Sequence, residues 1–369
     1  MLNPRRNGAL AVVVTALALF APSSAMASHD LNFYKAEAHM DLNADEATAT
    51  VSCNPGDHAL DGMWRVDHAD QDDYVAPLDL ISDAVDVISA GPTSDSTYSF
   101  IFEKNAIGRA QVKMWVTCLA NKTIGGSHTH TLATGFVNHT GAAATNIAGF
   151  DNSGPQLITG TGALTTTTIN TGANSCPSGT VLVSPGYIVD PLSIKDDTAA
   201  TTDASPGMMR LYKSITSNSR DWEWRFENSA LPLNWTVTVT TYWRCLKIKL
   251  PTNGFDKHKY VPKQKLSPGN LSPFNPNPSS VSEARVNCGD AYKGIVGGFS
   301  ISDAGGVATA ASDGTGLISP PPNATMFDNV FYLGMDPRIK QRAFRFVNRG
   351  SNAGYNVQLA LLCVNYRTT

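Results

Sequence analysis

Apolar and polar residues alternate along much of this chain, most clearly in the segment that ends at Cys245. The residues in phase with this cysteine are Trp235, Val237, Val239, Thr241 and Trp243. The residues between them are mostly threonines, with Tyr242 and Arg244 near the end. A period of two residues predicts a β-strand with one buried and one solvated face. We place the cysteine on the buried face, because a disulfide normally lies in the core with its neighbours.

The same phase precedes two other cysteines. The residues that share a face are Val112, Met114, Val116 and Cys118 in one segment, and Tyr355, Val357, Leu359, Leu361 and Cys363 in the other. An alternating aromatic segment precedes each closing strand and is soon followed by an asparagine. These segments contain Tyr98, Phe100 and Phe102, then Trp222, Trp224 and Phe226, then Phe344 and Phe346. Helical periodicity is scarce, so the chain is predicted to be all-β.

All six cysteines open or close one of three copies of this pattern. The distances between the opening and closing cysteines are 65, 69 and 75 residues. Only pairing within each copy repeats identically, so we predict the disulfides Cys53–Cys118, Cys176–Cys245 and Cys288–Cys363. Closing a loop of this length stabilises a fold by roughly 4 kcal/mol on the chain-entropy model, which is valuable where the core is small.

The copies predict three tandem small antiparallel β-sandwich modules, each closed by one disulfide and each able to fold on its own. The predicted divisions are a signal peptide (residues 1–27), an N-terminal lead (28–47), module 1 (48–120), a Thr/Gly/Asn-rich stretch (121–172), module 2 (173–247), a Pro/Asn/Lys-rich stretch (248–283) and module 3 (284–369). Proline favours extended backbone, so the Pro/Asn/Lys-rich stretch is interpreted as a semi-stiff linker. The Thr/Gly/Asn-rich stretch is long for pure spacing and is either a linker or a strand-exchanging arm.

The start of the chain has the features of a cleaved secretory signal peptide. Arg5 and Arg6 precede the apolar run Ala9–Phe20, and Ala25-Met26-Ala27 is a small-residue cleavage site. The run is too short to span a membrane, and no second long apolar run follows. We therefore predict a secreted, extracellular protein, either released or retained at the cell surface. The formal net charge of −3 and the lack of a basic stripe argue against nucleic acid as a partner.

Module 2 carries three motifs in a fixed order. They are Cys176-Pro177-Ser178-Gly179, Trp224-Arg225-Phe226-Glu227-Asn228 and Tyr242-Trp243-Arg244-Cys245. This order resembles a β-module repeated in exported bacterial proteins, most of them of unknown role. Module 1 has Cys53-Asn54-Pro55-Gly56 instead, and module 3 lacks the proline after Cys288. The resemblance implies the fold and carries no catalytic residue over.

Aromatic residues on a solvated face are candidates for ligand binding. The tryptophans Trp222, Trp224, Trp235 and Trp243 are interpreted as core, because their phase agrees with that of Cys245. Trp115 and Tyr242 occupy the opposite phase of their closing strands, so a ligand-stacking surface would include these two side chains.

Two groups of side chains are candidate metal ligands. The loop after the second strand of module 1 contains Asp67, Asp70, Asp72 and Asp73, whose oxygens suit calcium, although their spacing matches no EF-hand. The histidines His128, His130 and His139 could bind zinc. Their Gly- and Thr-rich surroundings favour solvated loop histidines instead. We predict no cofactor and keep calcium as a candidate.

No catalytic motif is visible. Gly-x-Ser-x-Gly and His-Glu-x-x-His are both absent, and six paired cysteines leave no thiol nucleophile. We predict a non-catalytic protein with a structural or adhesive role at the cell surface or in the extracellular matrix. The alternatives are a carbohydrate- or glycoprotein-binding module protein and a secreted hydrolase with an unrecognised site. The expected partners are a surface protein, a glycan or further copies of the chain.

Overall fold

The structure is a computed structural model. It describes residues 29–42, 46–68, 85–104, 110–125, 129–132, 135–137, 147, 149–159, 165–190, 209–216, 218–228, 236–250, 258–266, 280–303, 330–338, 340–348 and 355–365. About three quarters of these residues lie in β-strands, which pair antiparallel, and the one helix among them is a short 3-10 turn at Gly172–Asn174. The all-β prediction is confirmed. Within these ranges, no helix is long and apolar enough to cross a membrane.

The strands follow one another in three groups that contain the three predicted modules. Module 1 and the lead before it form β1 (Phe33–Leu42), β2 (Glu46–Ser52), β3 (His58–His68), β4 (Val85–Pro92), β5 (Thr97–Lys104) and β6 (Ala110–Leu119). The second group is β7 (Phe136–Val137), β8 (Asp151–Asn152), β9 (Gln156–Thr159), β10 (Thr165–Asn170), β11 (Thr180–Asp190), β12 (Met209–Ile215), β13 (Glu223–Asn228) and β14 (Thr236–Lys247). The third is β15 (Lys249–Leu250), β16 (His258–Lys259), β17 (Val261–Leu266), β18 (Ser280–Asn287), β19 (Lys293–Asp303), β20 (Val330–Arg338), β21 (Gln341–Asn348) and β22 (Tyr355–Asn365).

Each group of strands supplies two half-sheets. In one half-sheet the closing strand is central, giving the orders β1-β6-β3, β9-β14-β11 and β17-β22-β19. In the other the aromatic strand is central, giving β2-β5-β4, β10-β13-β12 and β18-β21-β20. Aromatic and β-branched residues favour strands, and here they also fill the interior between the half-sheets.

The half-sheets of different modules join into larger sheets. Sheet I unites β1-β6-β3 with β20-β21-β18, sheet II unites β2-β5-β4 with β11-β14 and its short partners, and sheet III unites β10-β13-β12 with β19-β22-β17. The joining pairs, which we call seams, are β3–β20, β4–β11 and β12–β19. Modules 1, 2 and 3 are therefore linked in a closed ring. The predicted row of three separate sandwiches is not confirmed, because the two halves of each module belong to different sheets.

All three predicted disulfides are present. Their Cα–Cα distances are 5.8 Å for Cys53–Cys118, 5.4 Å for Cys176–Cys245 and 5.6 Å for Cys288–Cys363. Cys53 and Cys288 directly follow the edge strands β2 and β18, and Cys176 follows the edge strand β10 after a short 3-10 turn. The second cysteine of each pair lies in a closing strand of another sheet. Each disulfide therefore ties two of the three sheets together.

The apolar core is also shared among the modules. One cluster of buried residues contains Phe100 from module 1, Trp224 from module 2 and Leu362 from module 3. A second cluster fills module 3 and includes Met63 and Trp115 from module 1. A chain of about 70 residues buries only a limited apolar surface by itself, and packing across the seams adds to it.

Seams require a close approach of two backbones, and glycine allows it. At Gly186 in β11, an added Cβ would lie 2.7 Å from the Cα atom of Gly91 and 2.9 Å from the carbonyl oxygen of Ala90. Both of these atoms belong to the backbone of β4 across the seam. Any larger residue at position 186 would push the two strands apart. Gly186 is thus explained by the contact of module 2 with module 1.

Parts of the two stretches between the modules belong to the sheets. In the Thr/Gly/Asn-rich stretch, β7, β8 and β9 pair with β14, and β10 pairs with β13. In the Pro/Asn/Lys-rich stretch, β17 pairs with β22. These parts are components of the fold, whereas the sequence interpretation treated the second stretch as a linker.

Candidate functional site

The candidate site is a cleft at the junction of modules 1 and 3. The residues that line it are Phe33, Tyr34, Lys35, Thr117, Lys293, Gly294, Pro337, Arg338 and Arg342. They come from β1 and β6 on one side and from β19, β20 and β21 on the other. Its volume of about 60 Å³ accommodates a small charged group or several water molecules. We call this feature the module 1–3 cleft.

Four cations face the cleft, and they differ in burial. Lys35 and Arg338 are exposed at its mouth, Lys293 is half-buried, and Arg342 is 2% exposed. The Lys35 ammonium lies 3.3 Å from the carboxylate of Glu37. Burial lowers the pKa of Lys293, and the negative charge of Asp30 partly opposes that shift. The charge of the cleft is therefore predominantly positive, which suits an anionic group.

The Arg342 guanidinium is held at the base of the cleft by three contacts. One terminal nitrogen donates a hydrogen bond to Thr117 Oγ1 at 2.9 Å, and the other donates to the carbonyl oxygen of Arg338 at 3.3 Å. Its carboxylate partner is Asp61, at 3.7 Å. The buried Nε–H has no hydrogen-bond partner within the described part of the chain. A buried donor of this kind is costly to leave unsatisfied, and its burial also keeps it out of reach of a ligand in the cleft.

Tyr34 forms part of the wall of the cleft and is not a free hydroxyl. Its Oη donates to Asp57 Oδ2 at 2.6 Å and accepts a hydrogen bond from the Asn54 amide at 2.8 Å. Burial, together with the hydrogen bond to Asp57, raises the pKa of Tyr34 to about 12. The hydroxyl therefore stays protonated near neutral pH and fixes the position of the ring.

Asp61 is the buried carboxylate behind the cleft. It accepts a hydrogen bond from the Gly297 amide at 3.1 Å across the seam between modules 1 and 3. Burial raises the pKa of Asp61 to about 7, although the Arg342 charge and the Gly297 amide oppose this shift. The carboxyl therefore gains a proton far more readily than an exposed aspartate, whose pKa is about 4.

This shift predicts a specific dependence of stability on pH. Because the folded pKa lies above the unfolded one, the contribution of Asp61 to stability is complete below about pH 4 and is lost by about pH 7. Within that window the free energy of unfolding should fall by up to about 1.4 kcal/mol per pH unit from this group. Denaturant unfolding of the wild type and of Asp61→Asn between pH 5 and 8 measures the contribution of Asp61 to the free energy of unfolding. The free energy of unfolding of the wild type minus that of the variant should fall up to pH 7 and then level off. A difference that stays constant with pH would contradict the raised pKa of Asp61.

Arg244 is a second buried cation, and it links module 2 to module 1. Arg244 is 1% exposed on its side chain and pairs with the carboxylate of Asp95. Its guanidinium carbon lies 3.9 Å from the ring centre of Phe136 and 4.3 Å from that of Phe150. Both rings come from the Thr/Gly/Asn-rich stretch. Arg244 is therefore enclosed between two aromatic faces and has a structural position, unlike the exposed cations Lys35 and Arg338 of the cleft.

The expected exposure of Trp115 and Tyr242 is wrong. The two residues are 5% and 7% exposed. Trp115 packs in the second core cluster and donates its indole hydrogen to Glu37 at 3.1 Å, whereas Tyr242 packs against Phe150 and Ile147. The closing strands are central in their sheets, and other parts of the chain cover their second face. With so little surface exposed, neither side chain provides a face on which a ligand could stack.

The other tryptophan assignments are confirmed where the structure describes them. Trp222, Trp224 and Trp243 are all buried, at 2% exposure or less. Trp235 lies outside the described residues.

Most of the candidate metal ligands lie outside the described residues. This applies to Asp70, Asp72, Asp73, His128 and His139, and to the side chain of Asp67, whose backbone ends β3. Among the described residues, no group of three or more histidine, cysteine, aspartate or glutamate side chains could hold a metal ion. His130 is described and lies beside His29.

Sequence reasoning missed the module 1–3 cleft. Lys35 and Lys293 are more than 250 residues apart in sequence, so no local motif joins them. One signal was present, since Arg342 has the same phase as the aromatic residues Phe344 and Phe346. A cation on the inward face of a strand needs a buried partner.

Comparison with protein-family models and with curated proteins finds no match for this chain.

Proposed function

We propose that this is an exported, non-catalytic protein with a structural or adhesive role at the cell surface or in the extracellular matrix. In this role the module 1–3 cleft binds an acidic group on the surface component to which the protein attaches. The observation that carries the proposal is that Lys293, Arg338 and the buried Arg342 all line one small cleft. An anion in the cleft would neutralise part of this positive charge.

The architecture supports a role outside the cell. Three disulfides persist in an oxidising environment, and here each of them ties two sheets. A closed ring of modules also keeps the two walls of the cleft at a fixed separation, because both walls belong to sheets that continue into their neighbours. A preformed cleft loses little conformational entropy on binding.

A second candidate function is the binding of a carbohydrate or glycoprotein, and the same cleft favours it. The small volume and positive charge suit the carboxylate or sulfate of an acidic sugar rather than a neutral ring. Aromatic Phe33 and Tyr34 provide apolar surface next to the cations. This candidate and the adhesive role differ in whether a free acidic sugar competes for the site.

The test is binding to an array of carboxylated, sulfated and neutral glycans, with and without the variant Lys293→Gln/Arg338→Gln. We expect the acidic glycans to bind and the double variant to lose affinity by about tenfold or more, since each hydrogen bond to a charged group contributes about 1.5–3 kcal/mol. Binding should also weaken as salt is raised. Lys249→Gln is the control, because Lys249 is an exposed lysine of β15 that does not line the cleft.

The results separate the two candidates. Acidic-glycan binding that free acidic monosaccharide displaces supports the carbohydrate-binding function. Attachment to surface protein that free sugar does not displace, but that the double variant weakens, supports the adhesive role. Equal binding by the wild type and the double variant would contradict both assignments of the cleft.

A further inference from the structure

The side chain of His29, the first described residue, contacts the side chain of His130. His29 is 6% exposed, and its Nε2 atom lies 3.1 Å from Nε2 of His130. The two rings are nearly perpendicular, with an interplanar angle of 87°. The backbone holds this pair in place, since Asp30 and Ile124 form an antiparallel bridge with hydrogen bonds of 2.7 and 2.9 Å.

The hydrogen bonds of the two residues determine how they can share a ligand. His29 Nδ1 lies 3.2 Å from the carbonyl oxygen of Gly125, and a carbonyl oxygen can only accept, so Nδ1 carries the hydrogen. In the neutral ring, Nε2 of His29 then has a lone pair directed at His130. His130 is anchored separately, because its amide donates to Thr123 Oγ1 at 2.9 Å. A hydrogen on His130 Nε2 then joins the two rings in a hydrogen bond, and a metal cation can replace that hydrogen between the two nitrogens.

We propose that His29 and His130 form a binding site for a divalent transition metal of the zinc class, with the two Nε2 atoms as ligands. The 3.1 Å separation is near the value of about 3.3 Å that two Zn–N bonds of about 2.05 Å make at a tetrahedral angle. The hydrogen bond from His29 Nδ1 to a backbone carbonyl is the usual support of a metal-bound histidine. Water or an external ligand atom would complete the coordination. Metal binding would add a second link, beside the Asp30–Ile124 bridge, between residue 29 and the segment that contains His130.

This inference does not depend on the proposed function, because the residues of the cleft take no part in it. It also revises the interpretation of the histidines of the Thr/Gly/Asn-rich stretch. Sequence reasoning considered His130 together with His128 and His139, whereas the structure brings it next to His29, about a hundred residues earlier in the chain.

The test is calorimetric titration of Zn²⁺ into the full exported chain without a polyhistidine tag. We expect one Zn²⁺ to bind per chain. Loss of a hydrogen-bonding partner of a metal ligand typically costs about 10- to 100-fold in affinity, so His29→Gln and His130→Gln should each weaken binding by at least about tenfold. His39→Gln is the control, because His39 is an exposed histidine on β1 and should leave the affinity unchanged.

A second measurement keeps the test decisive if His29→Gln disturbs the fold. Imidazole nitrogen NMR spectra of the wild type should show a hydrogen on His29 Nδ1 and a change at both Nε2 atoms on addition of Zn²⁺. His130→Gln, whose side chain is less buried, should fold and lose this response. The proposal is overturned if the wild type binds no Zn²⁺ at about 1 mM, or if His130→Gln binds as tightly as the wild type.

Discussion

Expressed alone, residues 135–250 should fail to fold cooperatively, even with the disulfide Cys176–Cys245 formed. This fragment contains β7 to β15, but it lacks β4, the partner of β11, and β19, the partner of β12. It would expose two seams and the part of the first core cluster that packs against the other modules. A small domain has little stability to spare, so this loss should abolish the folding transition.

Thermal unfolding followed by circular dichroism is the measurement, with the full chain as reference. Mass analysis of the unreduced fragment controls for the disulfide, so that a missing bridge is not mistaken for a missing partner. We expect a sharp transition for the full chain and a gradual, non-cooperative change for the fragment. A sharp transition in the fragment would instead support the independent modules that the sequence suggests.

A large loss of free energy of unfolding is also expected from the substitution Arg342→Met. Methionine keeps most of the length of the side chain but removes the cation that faces Asp61, which is 3% exposed on its side chain. Removing one partner of a buried ion pair typically costs about 3–5 kcal/mol, because the remaining charge stays buried without compensation. The Thr117 hydroxyl also loses its hydrogen-bond donor. We expect a loss of free energy of unfolding in this range near pH 8.

The control for this variant lies on the same strand. Arg345→Met makes the same chemical change, but Arg345 is 31% exposed on its side chain and pairs with Glu283 at 3.5 Å near the surface. It should cost at most about 1 kcal/mol. The cost of Arg342→Met should also shrink at pH 6, where Asp61 is protonated more fully. Equal costs for the two variants, or a cost that does not change with pH, would show that Asp61 and Arg342 are not coupled.

The sequence pattern predicted the strands and the disulfides because both depend on local information. The alternation before Cys245 indicated β14 and its inward face, and Val237, Val239 and Trp243 are all buried there. The cysteines that open and close each copy indicated which cysteines form disulfides. The alternation can be deduced from any one copy, whereas the pairing was deduced because it repeats in all three copies.

The arrangement of the sheets could not be deduced in the same way. At the seam between β3 and β20, the recorded pair is Arg65 with Gly334, a short contact compared with the ladders inside each module. Nothing in the alternation tells a strand which neighbour it joins across a seam. The same limit explains the error over Trp115, because a face that looks solvated in one module is covered by another.

The module 1–3 cleft depended on the same long-range information. Its cations come from both ends of the chain, and a lysine on a strand is ordinarily a solvated residue. Only the inward phase of Arg342 set it apart from other surface charges in the sequence. The orientation of such a residue was predictable, but its partner Asp61 in module 1 was not.

The ring of shared sheets has a consequence for how proteins of this architecture can evolve. Stacked repeat proteins gain or lose a unit at low cost, because each unit contacts only its neighbours in a line. Here each module lends one half-sheet to each of the two others, and the exchange closes after three. A duplicated fourth copy would find every seam strand already paired, and deletion of one copy would leave two seam strands with bare edges prone to aggregation. The number of modules is therefore held by geometry, and sequence divergence is expected to proceed by substitution within the three positions rather than by change in copy number.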